Sequence, residues 1–351
     1  MTTTPIWVQL TYLAAAICFI LALKGLSGPK TARRGNQLGA IGAVVATVVV
    51  FFQQDMDHLP LIIAAIAAGT VLGVVGAYKV QMTQMPQLVA LFNGVGGGAA
   101  ALVALLELHE ILSVGAEVST VIKIATVFTI FVGTVSFAGS MITFSKLQEL
   151  MTTRPVIFPG LPVAFGGSIA ASVLVAALGV NDPSLFLGIV LALLGLTVGV
   201  LLVLPVGGAD VPIVISLLNA FTGLTVAAGG YVLSNTLLVV AGTLVGASGT
   251  MLTIAMAKGM GRSVVNTLFG ALRAAPHLAR AWRVIVRSSR SVPKTSGSCL
   301  LTPTASSSCP VMVSLSPRPS THFVNSSRCS RRATLRSTTR FTRSPVVCPG
   351  T

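Results

Sequence analysis

Few side chains in this sequence could do chemistry, and most of those are neutral. Asn93 and Asn219 lie in long uncharged runs, as do the hydroxyls of Ser136, Ser140, Thr222, Ser248 and Thr250. A primary amide both donates and accepts hydrogen bonds, and so does a hydroxyl. Groups of this kind can hold a file of waters that passes protons while staying uncharged themselves. They can equally bond helix to helix, at about 0.6 kcal/mol apiece inside a membrane, and composition alone favours that ordinary role. Asp210, in Gly207-Gly208-Ala209-Asp210-Val211-Pro212, lies at the start of the run that holds Asn219 and Thr222. Beside a helix start it reads as an N-terminal cap facing the positive end of the dipole, or else as the inner mouth of a proton path. His58 and His109 read as solvated loop histidines. Nothing has metal-ligand spacing: Cys18 is alone in an apolar run, and Cys299, Cys309, Cys329 and Cys348 fit no zinc pattern.

The elements that must position these groups follow from composition. Of 351 residues, 53% are hydrophobic and 9% charged, and the mean hydropathy is +0.89. That balance excludes a water-soluble enzyme for most of the chain. A helix crossing the bilayer needs about 20 mainly apolar residues. Nine runs of about that reach occur, at 5–24, 38–53, 59–78, 86–106, 121–144, 163–180, 184–206, 211–233 and 236–257. The expected fold is therefore an all-α polytopic membrane protein. The first run lacks a basic leader and is too long for a signal-peptide core, so it reads as a retained span.

Charge sets the expected orientation, because short cytoplasmic loops retain Lys and Arg. Lys24, Lys30, Arg33, Arg34, Lys79, Lys146, Arg154, Lys258 and Arg262 fall on one side of a nine-span layout. The other side carries Asp55, Asp57, His58, Glu107, His109, Glu110, Glu117 and Asp182, with Lys123 the single exception. This arrangement places the N-terminus outside and the C-terminus in the cytoplasm. The glycine runs at Gly94, Gly96, Gly97 and Gly98, at Gly223, Gly229 and Gly230, and at Gly242, Gly246 and Gly249 read as close helix packing.

Several strings in residues 1–270 resemble the beta subunit of proton-translocating NAD(P) transhydrogenase. They are Lys79-Val80-Gln81-Met82-Thr83-Gln84-Met85-Pro86-Gln87-Leu88-Val89-Ala90, Gly207 to Pro212, Leu218-Asn219-Ala220-Phe221-Thr222-Gly223 and Gly246-Ala247-Ser248-Gly249. The resemblance implies the membrane domain of an oxidoreductase that couples hydride transfer between NADH and NADP to proton translocation in the bacterial inner membrane. It implies an alpha-subunit partner and a homodimer of alpha–beta heterodimers, with no specific nucleic acid. It also implies a proton path through Asn93, Asn219, Asp210 and Ser140. Some relatives carry histidine at the Asn93 position; an amide cannot take up a proton near neutral pH, so Asn93 is expected to orient water.

The family continues with an NADP-binding domain, and residues 271–351 do not look like one. They hold 13 Lys and Arg, no acid and 16 Ser, without a sustained helix or strand period, a composition expected to be disordered. A one-base reading shift accounts for them. In that frame Cys309-Pro310-Val311-Met312-Val313 permits Pro-Gly-Tyr-Gly, and 339–351 permits Tyr-Ala-Ile-His-Pro-Val-Ala-Gly-Arg-Met-Pro-Gly-His, both typical of that domain. Pro293-Lys294-Thr295 permits Ala-Glu-Asp. The tail is thus expected to be a frame-shifted remnant, leaving no catalytic residue for hydride transfer and neither NAD nor NADP bound by this chain. A different class of function stays open on the residues alone: a non-enzymatic channel or scaffold whose basic tail lies on anionic lipid or RNA.

Overall fold

The computed structural model describes residues 5–53, 58–115 and 118–270. Asp55, Asp57 and Glu117 of the sequence-based topology, and the whole 271–351 tail, lie outside the described residues. Among those described, nine helices are long and apolar enough to cross a membrane. They are α1 (Ile6–Leu26), α2 (Ala32–Gln53), α3 (Leu59–Lys79), α4 (Met85–Val114), α5 (Thr120–Leu147), α6 (Leu161–Asn181), α7 (Leu185–Val203), α8 (Val211–Val232) and α9 (Thr236–Gly259). No strand occurs among the described residues.

Their starts and stops are local chemistry. α3, α4, α6 and α8 each carry proline in the first turn, where its missing N–H costs nothing. Ser119, Ser184 and Asn235 cap α5, α7 and α9 by accepting first-turn amides. Two expectations need correction. α2 begins at Ala32 rather than near residue 38, so Arg33 and Arg34 belong to its first turn. α4 runs to Val114, so Glu107, His109 and Glu110 occupy its last turns rather than a loop. Nothing interrupts that helix before Gly115, which ends it in the left-handed conformation at φ 65°.

Packing follows small residues. α8 and α9 share the most extensive contact, then α4 with α5, α1 with α2, and α5 with α7 and α8. A Cβ at Gly223 would strike the backbone of Gly246, and one at Gly242 the backbone of Ala227. Similarly Gly97 lies against Gly133 and Ser136, and Gly199 against Val135 and Ala138. The glycine runs are therefore contact surfaces, as their composition suggests. The surface is inside-out relative to a soluble protein. α5 buries Thr126, Thr129, Gly133, Ser136, Ser140 and Thr143, while Ile124 and Phe128 of the same helix are exposed. α3 buries nothing.

Candidate functional site

α5 presents its small and polar residues at alternating spacings of three and four, which keeps them on one face of a helix. That face meets α4 and α8, and the contact brings together the mid-span polar groups. Asn93 on α4 donates from Nδ2 to Ser140 Oγ at 2.9 Å and more weakly to Ser136 Oγ at 3.4 Å. Ser136 Oγ donates to the Leu218 carbonyl of α8 at 3.0 Å and is hydrogen-bonded to Thr222 Oγ1 at 2.5 Å, where either hydroxyl can be the donor. Thr222 Oγ1 also reaches the Leu218 carbonyl, at 3.1 Å. Ser136 and Ser140 are 0% and 1% exposed. Three helices are thus joined by one chain of neutral donors and acceptors.

Gly94 and Gly97 on α4 permit this approach. A Cβ at Gly97 would stand 3.2 Å from that of Ser136, and one at Gly94 would stand 3.0 Å from that of Ser140. Asn93 and Ser140 of the expected site are therefore in direct contact. Asn219 is half-buried on α8, three residues from Thr222, and its side chain makes no hydrogen bond among the described residues. It borders the cluster without belonging to its bonded core. Ser136 is the hub. Sequence placed it among the mid-span hydroxyls, but only the packing of α5 between α4 and α8 sets it above Ser248 and Thr250. Those two turn back on their own helix, at the Val245 and Gly246 carbonyls.

Asp210 stands away from the cluster, at the entrance to α8. It occupies the N-cap position but makes no side-chain cap bond, which corrects the capping expectation. Its Oδ2 instead accepts from Arg262 Nη1 at 2.8 Å, and its Oδ1 is buried with no partner among the described residues. The charge of Arg262, just past α9, competes successfully with neutral amides for the carboxylate. Fifty-two residues separate the pair, so no local sequence signal links them.

Lys146 corrects the topology argument at one point. It is not a loop base; it lies in the last turn of α5 and is 0% exposed. Its Nζ donates to the carbonyls of Val203, Leu204 and Val206, at 3.0, 2.6 and 2.8 Å. These are the terminal carbonyls of α7 and the turn after it, which lack intrahelical partners. The place of Lys146, three residues after Thr143 at the end of an apolar run, gives no sign of these partners. Nearby, Gln87 Nε2 donates to the Leu147 carbonyl at 2.8 Å and ties the start of α4 to the end of α5.

In the common dinucleotide-binding fold a strand is followed by a glycine-rich turn whose free amides face the pyrophosphate. The one Gly-Gly helix start described, Gly207-Gly208, spends the Gly208 amide on the Thr153 carbonyl at 2.9 Å. It also sets a carboxylate, Asp210, at the helix mouth, where it would repel phosphate. That helix start therefore does not form a phosphate-binding turn of this kind.

A family model described as NAD(P) transhydrogenase beta subunit matches residues 8–300. Two curated proteins named NAD(P) transhydrogenase subunit beta, from Rhodospirillum rubrum and from its strain ATCC 11170, are each 39% identical over 263 residues. Those alignments cover 74% of this chain and 57% of each relative, so the chain spans little more than half the length of the curated relatives it matches.

Proposed function

Because this chain belongs to the NAD(P) transhydrogenase beta-subunit family, we propose that residues 1–270 are the proton-conducting part of a transhydrogenase. In that role the chain couples hydride transfer between NADH and NADP, carried out on nucleotide domains, to proton movement across the bacterial inner membrane. Its partners are an alpha subunit and a second copy of the alpha–beta pair. The N-terminus lies outside and the C-terminus in the cytoplasm. The tail 271–351 is a frame-shifted remnant of the NADP-binding domain, so this chain as written performs no hydride step.

The observation that carries the reading is the Ser140–Asn93–Ser136–Thr222 chain, buried where α4, α5 and α8 meet. A formal charge at this depth is costly. The hydroxyls of Ser136, Ser140 and Thr222, which can each donate and accept, avoid that cost: a hydroxyl passes one proton on as it receives another, and its rotation resets the wire. Asn93 donates to both serines, and its amide oxygen faces no protein donor among the described residues, which leaves it to accept from water. Asn219, beside Thr222 and without a side-chain bond, is suited to continue the file. Asp210 with Arg262 supplies a charged pair at the inner entrance to α8.

The test uses a chain whose reading frame is restored, co-reconstituted with the alpha subunit in liposomes. Ser136→Ala and Asn93→Leu are expected to cut proton pumping by at least about tenfold, a loss of roughly 1.4 kcal/mol in the transfer step, while assembly persists. Wild-type pumping in both variants would return the cluster to helix packing.

A further inference from the structure

A buried lysine without a carboxylate is rare, because an ammonium removed from water must be fully hydrogen-bonded to be tolerated. Lys146 satisfies that condition entirely with backbone. Its three donors meet three carbonyls within four residues of chain, Val203, Leu204 and Val206, and no carboxylate pairs with it among the described residues. Those carbonyls form the corner between α7 and α8. The same corner is held by Val156 N–H on the Leu204 carbonyl at 3.2 Å, and by Gly208 N–H on that of Thr153 at 2.9 Å. It ends at Asp210, which pairs with Arg262. Ser136 and Ser140 lie about two to three helical turns away on the same helix, α5.

We propose that Lys146 is a positioning residue that locks the α7–α8 corner to α5, so that the Asp210–Arg262 pair and the Asn93 cluster keep one fixed relation. The helix dipole supports the assignment: a cation at a helix C-terminus meets the negative end of the dipole, and here it is supplied by a neighbouring helix. One side chain therefore joins the element carrying Ser136 and Ser140 to the turn carrying Asp210. The idea deepens the proton-path reading and rests on it for its functional meaning. The lock itself is read without any proton measurement, so the two can fail separately.

Hydrogen exchange of the full 351-residue chain in lipid nanodiscs tests it. Lys146→Met keeps the volume and removes the charge and donors. It is expected to speed exchange of the 204–210 amides and of Val156 by at least about tenfold, while amides at 93–101 and 219–225 keep their rates, since local opening reports local restraint. Lys146→Arg or Lys146→Gln, which retain donors, should restore at least part of the protection. Unchanged exchange at 204–210, acceleration spread evenly over all helices, or no recovery in either donor-bearing variant would overturn the proposal. If the lock holds while Ser136→Ala pumps normally, the proton-path reading fails and the positioning role stands.

Discussion

At the scale of single residues, the two asparagines differ in a way that their type does not reveal. Asn93 is 9% exposed and bonded to α5; Asn219 is half-buried and unbonded among the described residues. Replacing Asn219 with leucine removes no hydrogen bond and adds apolar surface to a membrane helix. Its effect on stability is expected to stay within about 0.5 kcal/mol, with proton pumping lost. Ser136→Ala removes the hydroxyl that meets Asn93, Thr222 and the Leu218 carbonyl, for about 1 kcal/mol. Thermal unfolding of both variants in nanodiscs checks the contrast: Ser136→Ala should unfold earlier, Asn219→Leu with the parent. The Asp210–Arg262 pair adds little in these terms. The arginine side chain is 52% exposed, and solvent screening holds such a pair to about 0–1 kcal/mol, so any larger effect of Asp210→Asn would be on function.

At the scale of elements, the bundle is held by backbones in contact. Gly223 and Gly242 sit where α8 and α9 approach most closely, and any Cβ there meets main chain that cannot move aside. Gly223→Val is expected to cost about 3 kcal/mol or more, since overpacking alone costs typically 1–3 kcal/mol. It should separate α8 from α9, seen as early loss of helix on heating and as new protease cutting after Lys258. By contrast Gly69→Ala on α3, where a Cβ meets nothing within 4 Å, should be silent in both measurements. The spans themselves were legible from hydropathy because a helix in lipid must be apolar over a set length. Helix ends were less so. α4 continues through Glu107 and Glu110 because backbone hydrogen bonding carries a helix on until something stops it, and hydropathy records the change of solvent instead.

At the scale of the whole molecule, orientation and reading frame are the open tests. Lys30 and Arg154 are both exposed, between α1 and α2 and between α5 and α6, and an even number of spans separates them. Trypsin added to sealed vesicles is expected to cut both from the same face or neither. Cleavage from opposite faces would break the nine-span layout. Membranes holding the 351-residue chain with the alpha subunit should show no hydride transfer between NADH and an NADP analogue, and resequencing between the codons for Gly270 and Pro293 should locate the shift. The sequence by itself determined the spans, the asymmetry of charge, the family and the pool of neutral mid-membrane groups, because each depends on composition and short-range spacing. Which of those groups meet was decided by tertiary structure alone. Asn93 finds Ser140 across 47 residues, and Lys146 reaches the Leu204 carbonyl across 58. In a membrane every helix shows the same apolar face to its solvent, so hydropathy says nothing about neighbours. The choice falls to where small residues let two backbones close, and that is a property of pairs.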